Sequence, residues 1–406
     1  MMKGPKSPLR DKNIGVVGFN ARPIVCSLKR LGAYVIVSDY WGDADLDSCC
    51  DEWASVLKAI PGERQRQHQE TAVPQTLVAN LLAVVGKRDL DGVFVGSGFD
   101  DASEELKPLA ERGWIVGNSP VQMRKARDRS RLRRLAAKQG VRMPFSGIAK
   151  SLEEAIDLAG EVGYPLVVRP LHSGGGSGIR LVHDEGALLT LLATRDPLEV
   201  VIQEYVRGLD VSSSVLSTGR SAMVLSVQGQ LIGTPSAGRN CDFVYCGNYL
   251  PVRLERDATE RIRRVSEEIS MVLKLVGSNG FDFVVGENGV WLMEVNPRIQ
   301  GTLELLERAG DVSVSDLHYR AVIHQALPTE VSFNAGVKLI VYARRAGAVP
   351  DLGTFATTVD RSPQGVVVSR GDPICSVIKV GAVLSDCYLE ATVLANTINS
   401  FLGPVS

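Results

Sequence analysis

The chain has 406 residues, more than one ordinary hydrophobic core holds, so we expect two to four domains. Apolar residues make up 45% and charged residues 22%, which excludes a disordered or fibrous chain. The formal net charge of −1 argues against nucleic-acid binding, and no apolar run approaches the roughly 18 residues that would predict a membrane span.

Residues 1–118 are predicted to form an N-terminal Rossmann-like domain with an open, mostly parallel sheet. Strand, helix and strand follow one another over 13–41 as a βαβ unit, and two further buried strands follow at 90–101 and 113–119. The first turn, "GFNARP", lacks the G-x-G-x-x-G pattern, so dinucleotide binding is not expected. Asn20 and Arg22 lie in this turn, where the crevice of such a sheet opens, and are candidate substrate residues.

The segment 119–198 begins with one predicted helix over 119–140, capped by Ser119 and ended by a glycine. Its basic run, "RKARDRSRLRR", would suit nucleic acid in isolation, but a solvated helix with one inward arginine is the better interpretation. A strand then leads into "RPLHSGGGSGI". Glycine and serine in such numbers form either a flexible linker or a loop whose N–H groups wrap phosphate oxygens. Because a strand follows at once, the pattern favours a hairpin loop.

The segment 199–330 is rich in predicted strands and ends in a hairpin turned at "GENG". Glu294 and Asn296 stand two apart on one strand of this hairpin and therefore share a face, with Asp282 on the other strand. Two carboxylates and an amide oxygen suit Mg²⁺, or Mn²⁺, bridged to phosphates. Arg298 continues the same face. The alternative is a surface hairpin with a solvated edge, but "VWLMEVNP" is largely apolar, so an unpartnered Glu294 would be costly there.

A long polar and aromatic loop is predicted over 236–251, and loops of that length in a compact domain are often functional. It supplies four candidate substrate residues, Arg239, Asn240, Tyr245 and Asn248. The alternative is a surface loop that packs its aromatic rings against the sheet. After residue 331 the chain predicts a small β-rich domain, 331–406, with a final helix.

Seven cysteines are scattered along the chain, without the spacing of a zinc ribbon or a secreted disulfide framework. No segment resembles an export signal. We therefore expect reduced thiols and a cytoplasmic protein.

Four motifs, in order over about 115–300, together resemble the ATP-grasp superfamily: "GNSP…ARDRSRLRRLAAKQGVRMP", "YPLVVRP…GGGSGI", "VIQEYVRGLD" and "GFDFVV…WLMEVNPR". The nearest branch is that of carbamoyl-phosphate synthetases, biotin carboxylases and carboxylate–amine ligases. The resemblance implies an α/β fold, α+β in parts. This fold has a Rossmann-like open sheet, two ATP-grasp subdomains and a small C-terminal domain. The first subdomain, 119–198, would carry a phosphate flap, and the second, 199–330, would carry the metal site.

The resemblance also implies roles for single residues. Arg169 and Arg129 stand where many members have phosphate-binding lysines, a departure shared with carbamoyl-phosphate synthetases that preserves phosphate binding. Arg298 would join Arg169 in steadying the transferred phosphoryl group. The metal ligands would be Asp282, Glu294 and Asn296. The implied ATP contacts are Arg129, Arg169, the flap residues Ser173, Gly174, Gly175, Gly176, Ser177 and Gly178, the hinge residues Glu204, Tyr205 and Val206, and the ribose acid Asp210, whose register is open by one residue.

The implied function is that of an ATP- and Mg²⁺-dependent ligase. It would activate a small carboxylate as an acyl phosphate and join it to an amine, releasing ADP and phosphate. "GFNARP" and "GDPICSVIKVG" resemble a group of archaeal and methylotroph ATP-grasp proteins, which points to a one-carbon-carrier cofactor. Two alternatives stay open: a carboxylase or carbamoyl-type enzyme that activates bicarbonate, and a nucleotide-binding protein without turnover. The partners would be small molecules, and a homodimer is compatible with this interpretation.

Overall fold

Four β-sheets organise the part of the chain that the computed structural model describes, which comprises residues 7–64, 73–171, 174–193, 195, 198–238 and 243–404. One sheet has five strands, one has four, one has eight and one has two. No helix among these residues is long and apolar enough to cross a membrane.

The five-stranded sheet comes first along the chain and is entirely parallel, with the strand order β3-β2-β1-β4-β5. Its central strands are continuous apolar runs because helices cover both faces of such a sheet. The elements are β1 (Asn13–Gly18), α1 (Arg22–Arg30), β2 (Tyr34–Asp39), β3 (Glu52–Ser55), α2 (Val73–Val85), β4 (Gly92–Val95), α3 (Lys107–Ala110) and β5 (Ile115–Val116). Since the carboxyl ends of parallel strands meet at one edge, the loops after β1, β2 and β4 lie together.

The helix predicted over 119–140 is in fact two helices, α4 (Pro120–Arg127) and α5 (Arg129–Lys138). Asp128 ends the first in an extended conformation and caps the second, its carboxylate accepting a hydrogen bond from the N–H of Arg131 at 3.0 Å. Aspartate favours such a break because its side chain competes for backbone donors. The break directs Arg127 and Arg129 toward the interior of the molecule.

The four-stranded sheet follows and is antiparallel, with the order β6-β9-β7-β8. The predicted glycine-rich stretch connects β7 to β8 as a hairpin loop, so it is not a linker. The elements are β6 (Ser146–Ala149), α6 (Leu152–Val162), β7 (Leu166–Pro170), β8 (Arg180–Val182), α7 (Glu185–Leu192) and β9 (Val200–Glu204).

The eight-stranded antiparallel sheet forms the rest of the molecule, in the order β14-β13-β10-β11-β12-β15-β19-β17, and β16 pairs separately with β18. The elements are β10 (Leu209–Thr218), β11 (Ala222–Ile232), β12 (Tyr245–Leu250), α8 (Arg256–Val272), β13 (Val276–Gly286), β14 (Gly289–Asn296), α9 (Leu303–Ala309), α10 (Val314–Tyr319), β15 (Ala335–Tyr342), β16 (Gly347–Ala348), β17 (Thr358–Val359), β18 (Val367–Val368), β19 (Pro373–Gly381) and α11 (Leu384–Ser400).

One sequence expectation changes here. The stretch predicted as a loop over 236–251 contains the strand β12, which lies between β11 and β15. Its mixed polar and aromatic residues hide the strand in the sequence, because pairing with both neighbours decides its conformation. The strands β15 and β19 join the same sheet, so the proposed domain boundary at 331 stays a prediction.

Reduced thiols are expected from the sequence, but Cys26 and Cys49 form a disulfide, with their Cα atoms 4.8 Å apart. Cys26 lies on α1, and Cys49 lies in a short 3₁₀ turn after β2. Twenty-three residues separate the two cysteines, and only the packing of α1 beside β2 brings them together. The cytoplasmic location stays a prediction.

His318 joins the parallel sheet to the eight-stranded one. Its Nδ1 accepts a hydrogen bond from the N–H of Ser278 at 2.8 Å, so its Nε2 carries the proton and donates to the carbonyl oxygen of Val116, also at 2.8 Å. Burial lowers the pKa of His318 to about 4, although the bond to Val116 opposes this shift. The ring is therefore held neutral, because neutral imidazole can accept at one nitrogen and donate at the other.

This geometry predicts a specific loss of stability in mild acid. The folded-state pKa lies below the unfolded value of about 6.5, so the free energy of unfolding should fall by up to about 3 kcal/mol as the pH drops from 6.5 to 4. We expect His318→Gln to be less stable at pH 7 and to lack this component. Urea unfolding at several pH values measures it, with exposed His183→Gln as the control. A wild-type pH slope that His318→Gln retained would contradict the assignment.

Candidate functional site

A cavity of about 1770 Å³ opens between the parallel sheet, the four-stranded sheet and the eight-stranded sheet. This central cavity is larger than the 300–1,000 Å³ or so that a single small ligand usually occupies, so it has room for a nucleotide and a second substrate. Most of the described residues predicted from the sequence as site residues line it: Asn20, Arg129, Arg169, Gly175, Gly176, Glu204, Tyr205, Val206, Asp210, Tyr245, Asn248, Asp282, Glu294, Asn296 and Arg298.

The hairpin of β13 and β14 brings the two predicted metal-binding carboxylates together. The register pairs Asp282 with Glu294, and the turn between the strands is two residues long, at Glu287 and Asn288. Asn296 donates its amide to Asp282 Oδ2 at 2.8 Å, and Gln230 donates to Oδ1 at 3.0 Å. The hairpin therefore presents a cluster of oxygen atoms to the cavity.

The electrostatics of the hairpin favour a cation. Burial first, and the charge of Glu294 second, raise the pKa of Asp282 to about 8. Burial acts against ionisation of Glu294 too, but Arg127, the hydrogen bond with Asp282 and Arg298 together outweigh it, so the pKa of Glu294 lies below its ordinary value. About 43% of the Glu294 side chain is accessible because it faces the cavity. A cation between the two carboxylates would relieve their repulsion.

The residues fit a magnesium ion that is shared with a nucleotide. Among the described residues, no group of three or more His, Cys, Asp or Glu is arranged to hold a metal by itself. Asp282, Glu294 and the amide oxygen of Asn296 supply a partial set of hard oxygen ligands. Mg²⁺ prefers such a set, because it takes its remaining ligands from phosphates and water.

Two arginines connect this hairpin to the loop that follows β4. Arg127 donates to Glu294 at 3.1 Å and to Asp101 at 2.9 Å. Arg298 donates to Asp100 at 3.2 Å and to the amide oxygen of Asn296 at 3.3 Å. Burial would lower the pKa of Arg127, but Glu294 and Asp101 hold it above its ordinary value. These bonds fix the carboxylate pair against the parallel sheet.

Arg129 and Arg169 differ from Arg127, because they lack carboxylate partners. No described residue forms an ion pair with either, and Arg129 makes only hydrogen bonds of 3.2–3.5 Å to neutral groups. Burial, and then the charge of Arg169, lower the pKa of Arg129 to about 10. Burial also lowers the pKa of Arg169. Two half-buried guanidinium groups close to each other form a site to which an anion such as a triphosphate would bind favourably.

The glycine-rich loop between β7 and β8 covers this anion site. The N–H of Tyr245 donates to the carbonyl oxygen of Gly175 at 3.0 Å, so the loop is latched onto the start of β12. Gly176 has φ of +78°, and a Cβ there would stand 1.6 Å from the carbonyl oxygen of Phe243. Glycine is therefore required at 176 for the closed position. Ser173 lies outside the described residues, and Gly174, Ser177 and Gly178 lie in the loop but do not line the cavity.

The predicted adenine hinge follows β9. The carboxylate of Glu204 accepts a hydrogen bond from the N–H of Phe145 at 3.0 Å, so it already has a partner in the sheet. Tyr205 and Val206 line the cavity beyond it, and the ring of Tyr205 meets the ring of Phe243 edge-on at 6.3 Å. Burial raises the pKa of Asp210 to about 6, and it faces the same space. Their contacts with adenine and ribose stay predictions.

The predicted substrate residues have diverse surroundings. Arg22 is 2% exposed and engaged by Asp360 at 2.7 Å, by Glu304 and by Asp45 at 3.4 Å, so its donors serve a buried ion network. Asn248 accepts from the Tyr245 hydroxyl, which leaves both side chains partnered inside the sheet. Contact of Arg22, Tyr245 and Asn248 with a substrate stays a prediction. Arg239 and Asn240 lie outside the described residues.

Several residues that shape the site carry little signal in the sequence. Nothing distinguishes Arg127 from the other arginines of its basic run, and Gln230 has no motif around it. Asp100 and Asp101, by contrast, could have been identified from the sequence, since "GFDD" follows a buried strand at the edge where ligands of parallel sheets bind. Lys338 lies on β15 and Asp360 just after β17, and their charged groups are 3.2 Å apart, so only the fold brings them together.

Comparison with known proteins agrees with this geometry. Residues 126–302 match the family model described as the ATP-grasp domain. This segment of the chain is thus similar to an ATP-grasp domain. This confirms the resemblance found in the motifs.

Solved structures agree in fold over nearly the whole chain. An N5-carboxyaminoimidazole ribonucleotide synthetase in complex with ADP is similar with a TM-score of 0.71 and 15% identity, covering 97% of this chain and 98% of that one. The Staphylococcus aureus N5-carboxyaminoimidazole synthetase with ADP gives 0.68 and 16%, covering 96% and 98%. The biotin carboxylase domain of Hydrogenobacter thermophilus 2-oxoglutarate carboxylase gives 0.67 and 18%, covering 94% and 89%. The predicted α/β ATP-grasp fold class is confirmed.

The closed loop predicts that Gly176→Ala weakens nucleotide binding. The added methyl group clashes with the Phe243 carbonyl and disfavours the positive φ, so we expect about tenfold lower affinity for MgATP, or about 1.4 kcal/mol. Gly174→Ala is the matched control, because a Cβ at 174 meets no atom within 4 Å. Isothermal titration with MgATP measures both. Equal affinities for the two variants would show that the loop does not close in this way.

Proposed function

We propose that the protein is an ATP-dependent ligase that activates a small carboxylate as an acyl phosphate and joins it to an amine. The observation that carries the proposal is that one cavity holds both the carboxylate hairpin and the two arginines Arg129 and Arg169, which have no counter-ion among the described residues. Two of the similar synthetase structures are complexes with ADP, which supports a nucleotide at the corresponding place here.

The chain's own residues account for binding and protection. Arg129 and Arg169 would bind the phosphates, and Arg298, held by Asp100, would lie beside the transferred phosphoryl group. Asp282, Glu294 and Asn296 would hold Mg²⁺, which offsets charge on the phosphates when it is bound. The loop latched by Tyr245 would exclude water, which would otherwise hydrolyse an acyl phosphate.

The reaction balances as two displacements. A carboxylate oxygen forms a bond to the γ-phosphorus of ATP, and the bond to the bridging oxygen breaks, releasing ADP. The amine nitrogen, in its neutral form, then bonds to the acyl carbon, while the carbon–oxygen bond to phosphate breaks. Inorganic phosphate leaves with the electron pair, and the nitrogen loses its extra proton. Most of the catalysis in such a phosphoryl transfer comes from positioning and electrostatics.

A second candidate is a carboxylase or carbamoyl-type enzyme that activates bicarbonate. It is favoured by one comparison, since the Hydrogenobacter thermophilus biotin carboxylase domain forms a complex with MgADP and a bicarbonate anion. Bicarbonate is itself a small carboxylate, so the same arginines and hairpin would serve it. For the first candidate we further propose that the product is a one-carbon-carrier cofactor, that the protein is cytoplasmic and that it forms a homodimer.

Phosphate release separates the two candidates. The purified protein is incubated with MgATP and with pairs of acids and amines, with each acid or amine alone, and with bicarbonate alone. We expect ADP and phosphate only where an acid and an amine are both present. Turnover with bicarbonate alone would support the second candidate instead.

The hairpin assignment predicts that Glu294→Gln lowers this turnover by about 100-fold or more, because it removes a charge that faces the phosphates. Glu287→Gln, an exposed substitution in the turn of the same hairpin, should leave the rate unchanged. The measurement is kcat for phosphate release by each variant. Full activity in Glu294→Gln would mean that the hairpin is not the metal site.

A further inference from the structure

The cavity continues past the phosphate-binding residues into a crevice at the carboxyl ends of β1 and β2. Asn20 follows β1 and Asp43 follows β2, and both line the cavity. Asp39 holds the two loops beside each other, because its carboxylate accepts hydrogen bonds from the N–H groups of Ala21 and Gly42, each at 2.8 Å. The buried Asp39 thus holds together the backbone of the two loops that carry Asn20 and Asp43.

Both side chains present an acceptor atom that lacks a partner. Asp43 is only 8% exposed, yet none of the described residues donates a hydrogen bond to its Oδ2. The same holds for Oδ1 of Asn20. Buried polar atoms are nearly always hydrogen-bonded, because leaving one unpaired costs about 1–3 kcal/mol. Two unpaired acceptors in one crevice therefore indicate a ligand that donates hydrogen bonds.

The charges around Asp43 indicate that this ligand is cationic. Burial and the like charges of Asp39, Asp360 and Asp45 hold the pKa of Asp43 well above its ordinary value, and Arg22 offsets only part of this. The neighbouring acids are already engaged: Asp360 has Arg22 and Lys338, and Asp45 has Arg22 and the N–H of Arg361. Asp43 is the carboxyl of this group that is left for a positive charge from outside the chain.

Aromatic rings complete the crevice. Phe19 and Trp41 line the cavity beside Asn20 and Asp43. Both rings pack against Tyr40, Phe19 stacked at 4.7 Å and Trp41 edge-on at 5.0 Å, so the three rings form one packed cluster. The faces of aromatic rings attract alkylammonium groups, and their surfaces accept the attached alkyl chain.

We propose that Asn20, Asp43, Phe19 and Trp41 form the subsite that binds the ammonium group of a primary-amine substrate. The proposal rests on the proposed ligase function for the role of that amine. Asp100 lines the same cavity and accepts a hydrogen bond from Arg298, which would lie beside the phosphoryl site. An amine held at Asp43 therefore lies in the cavity into which an acyl phosphate would be delivered. The Asp43 carboxylate would take the proton that the ammonium group must lose before its neutral nitrogen attacks.

Binding of propylammonium chloride to the full-length protein tests this subsite without any turnover. Thermal unfolding is followed with propylammonium, with tetramethylammonium and with potassium chloride, all at one ionic strength. We expect a saturable rise in melting temperature with propylammonium alone, because only it carries N–H donors for two acceptors. Equal rises with all three salts would overturn the proposal.

Substitutions locate the binding. Asp43→Asn keeps the shape of the side chain and removes a buried carboxyl, so this variant should fold. We expect it to bind propylammonium at least tenfold more weakly than the wild type does. Asn20→Ala, a second variant, should weaken binding several-fold. The control is Asp157→Asn, an exposed position on α6, which should bind as the wild type does. Unchanged binding in both Asp43→Asn and Asn20→Ala would overturn the assignment.

The same variants separate this proposal from the ligase function. Where an acid and an amine together produce ADP, Asp43→Asn should raise the KM for the amine at least tenfold and leave the KM for ATP unchanged. An unchanged KM for the amine would contradict the proposed subsite but not the proposed ligase function. Binding of propylammonium through Asp43 without amine-dependent ADP formation would contradict the ligase function but not the subsite.

Discussion

The site depends on one guanidinium group, that of Arg127, which joins the parallel sheet to the carboxylate hairpin. It donates to Asp101 after β4 and to Glu294 on β14, and so ties two separately built sheets together. Arg298 repeats the connection through Asp100. The Arg298–Asp100 pair is mostly buried, so removing one partner would leave a charge unpaired at considerable cost. The cavity therefore keeps a defined shape between the hairpin and the crevice of the parallel sheet.

Within that frame, the described residues leave charges without an ionic partner toward both ends of the cavity. Arg129 and Arg169 are half-buried cations with no carboxylate partner among those residues, and Asp43 is a buried carboxyl with an oxygen to which none of them donates. In the buried network next to the cavity, by contrast, Arg22 is paired with Glu304 and Asp360. An anionic ligand at one end and a cationic one at the other would complete both sites. A triphosphate and an ammonium group have these charges.

The features that the sequence predicted are those that depend on neighbours along the chain. Glu294 and Asn296 share a strand face by their spacing, and the loop 174–178 follows from glycines between two strands. The sequence could not show the helix break at Asp128, because charged residues surround the helix on both sides of that position. It could not show that Tyr245 lies on a strand either, because pairing with the neighbouring strands β11 and β15 imposes that conformation. The partners of Arg22, Lys338 and Cys26 come from remote segments, so only the fold reveals them.

The central claim is that a carboxylate attacks ATP in this cavity. Labelling the carboxylate oxygens of the acid substrate with ¹⁸O tests that claim most directly, with the released phosphate analysed by mass spectrometry. Attack by the carboxylate places one of its oxygens between carbon and phosphorus, and cleavage by the amine leaves that oxygen on phosphorus. We therefore expect one ¹⁸O atom in each inorganic phosphate formed. Phosphate without label would contradict an acyl phosphate and point to attack on ATP by water.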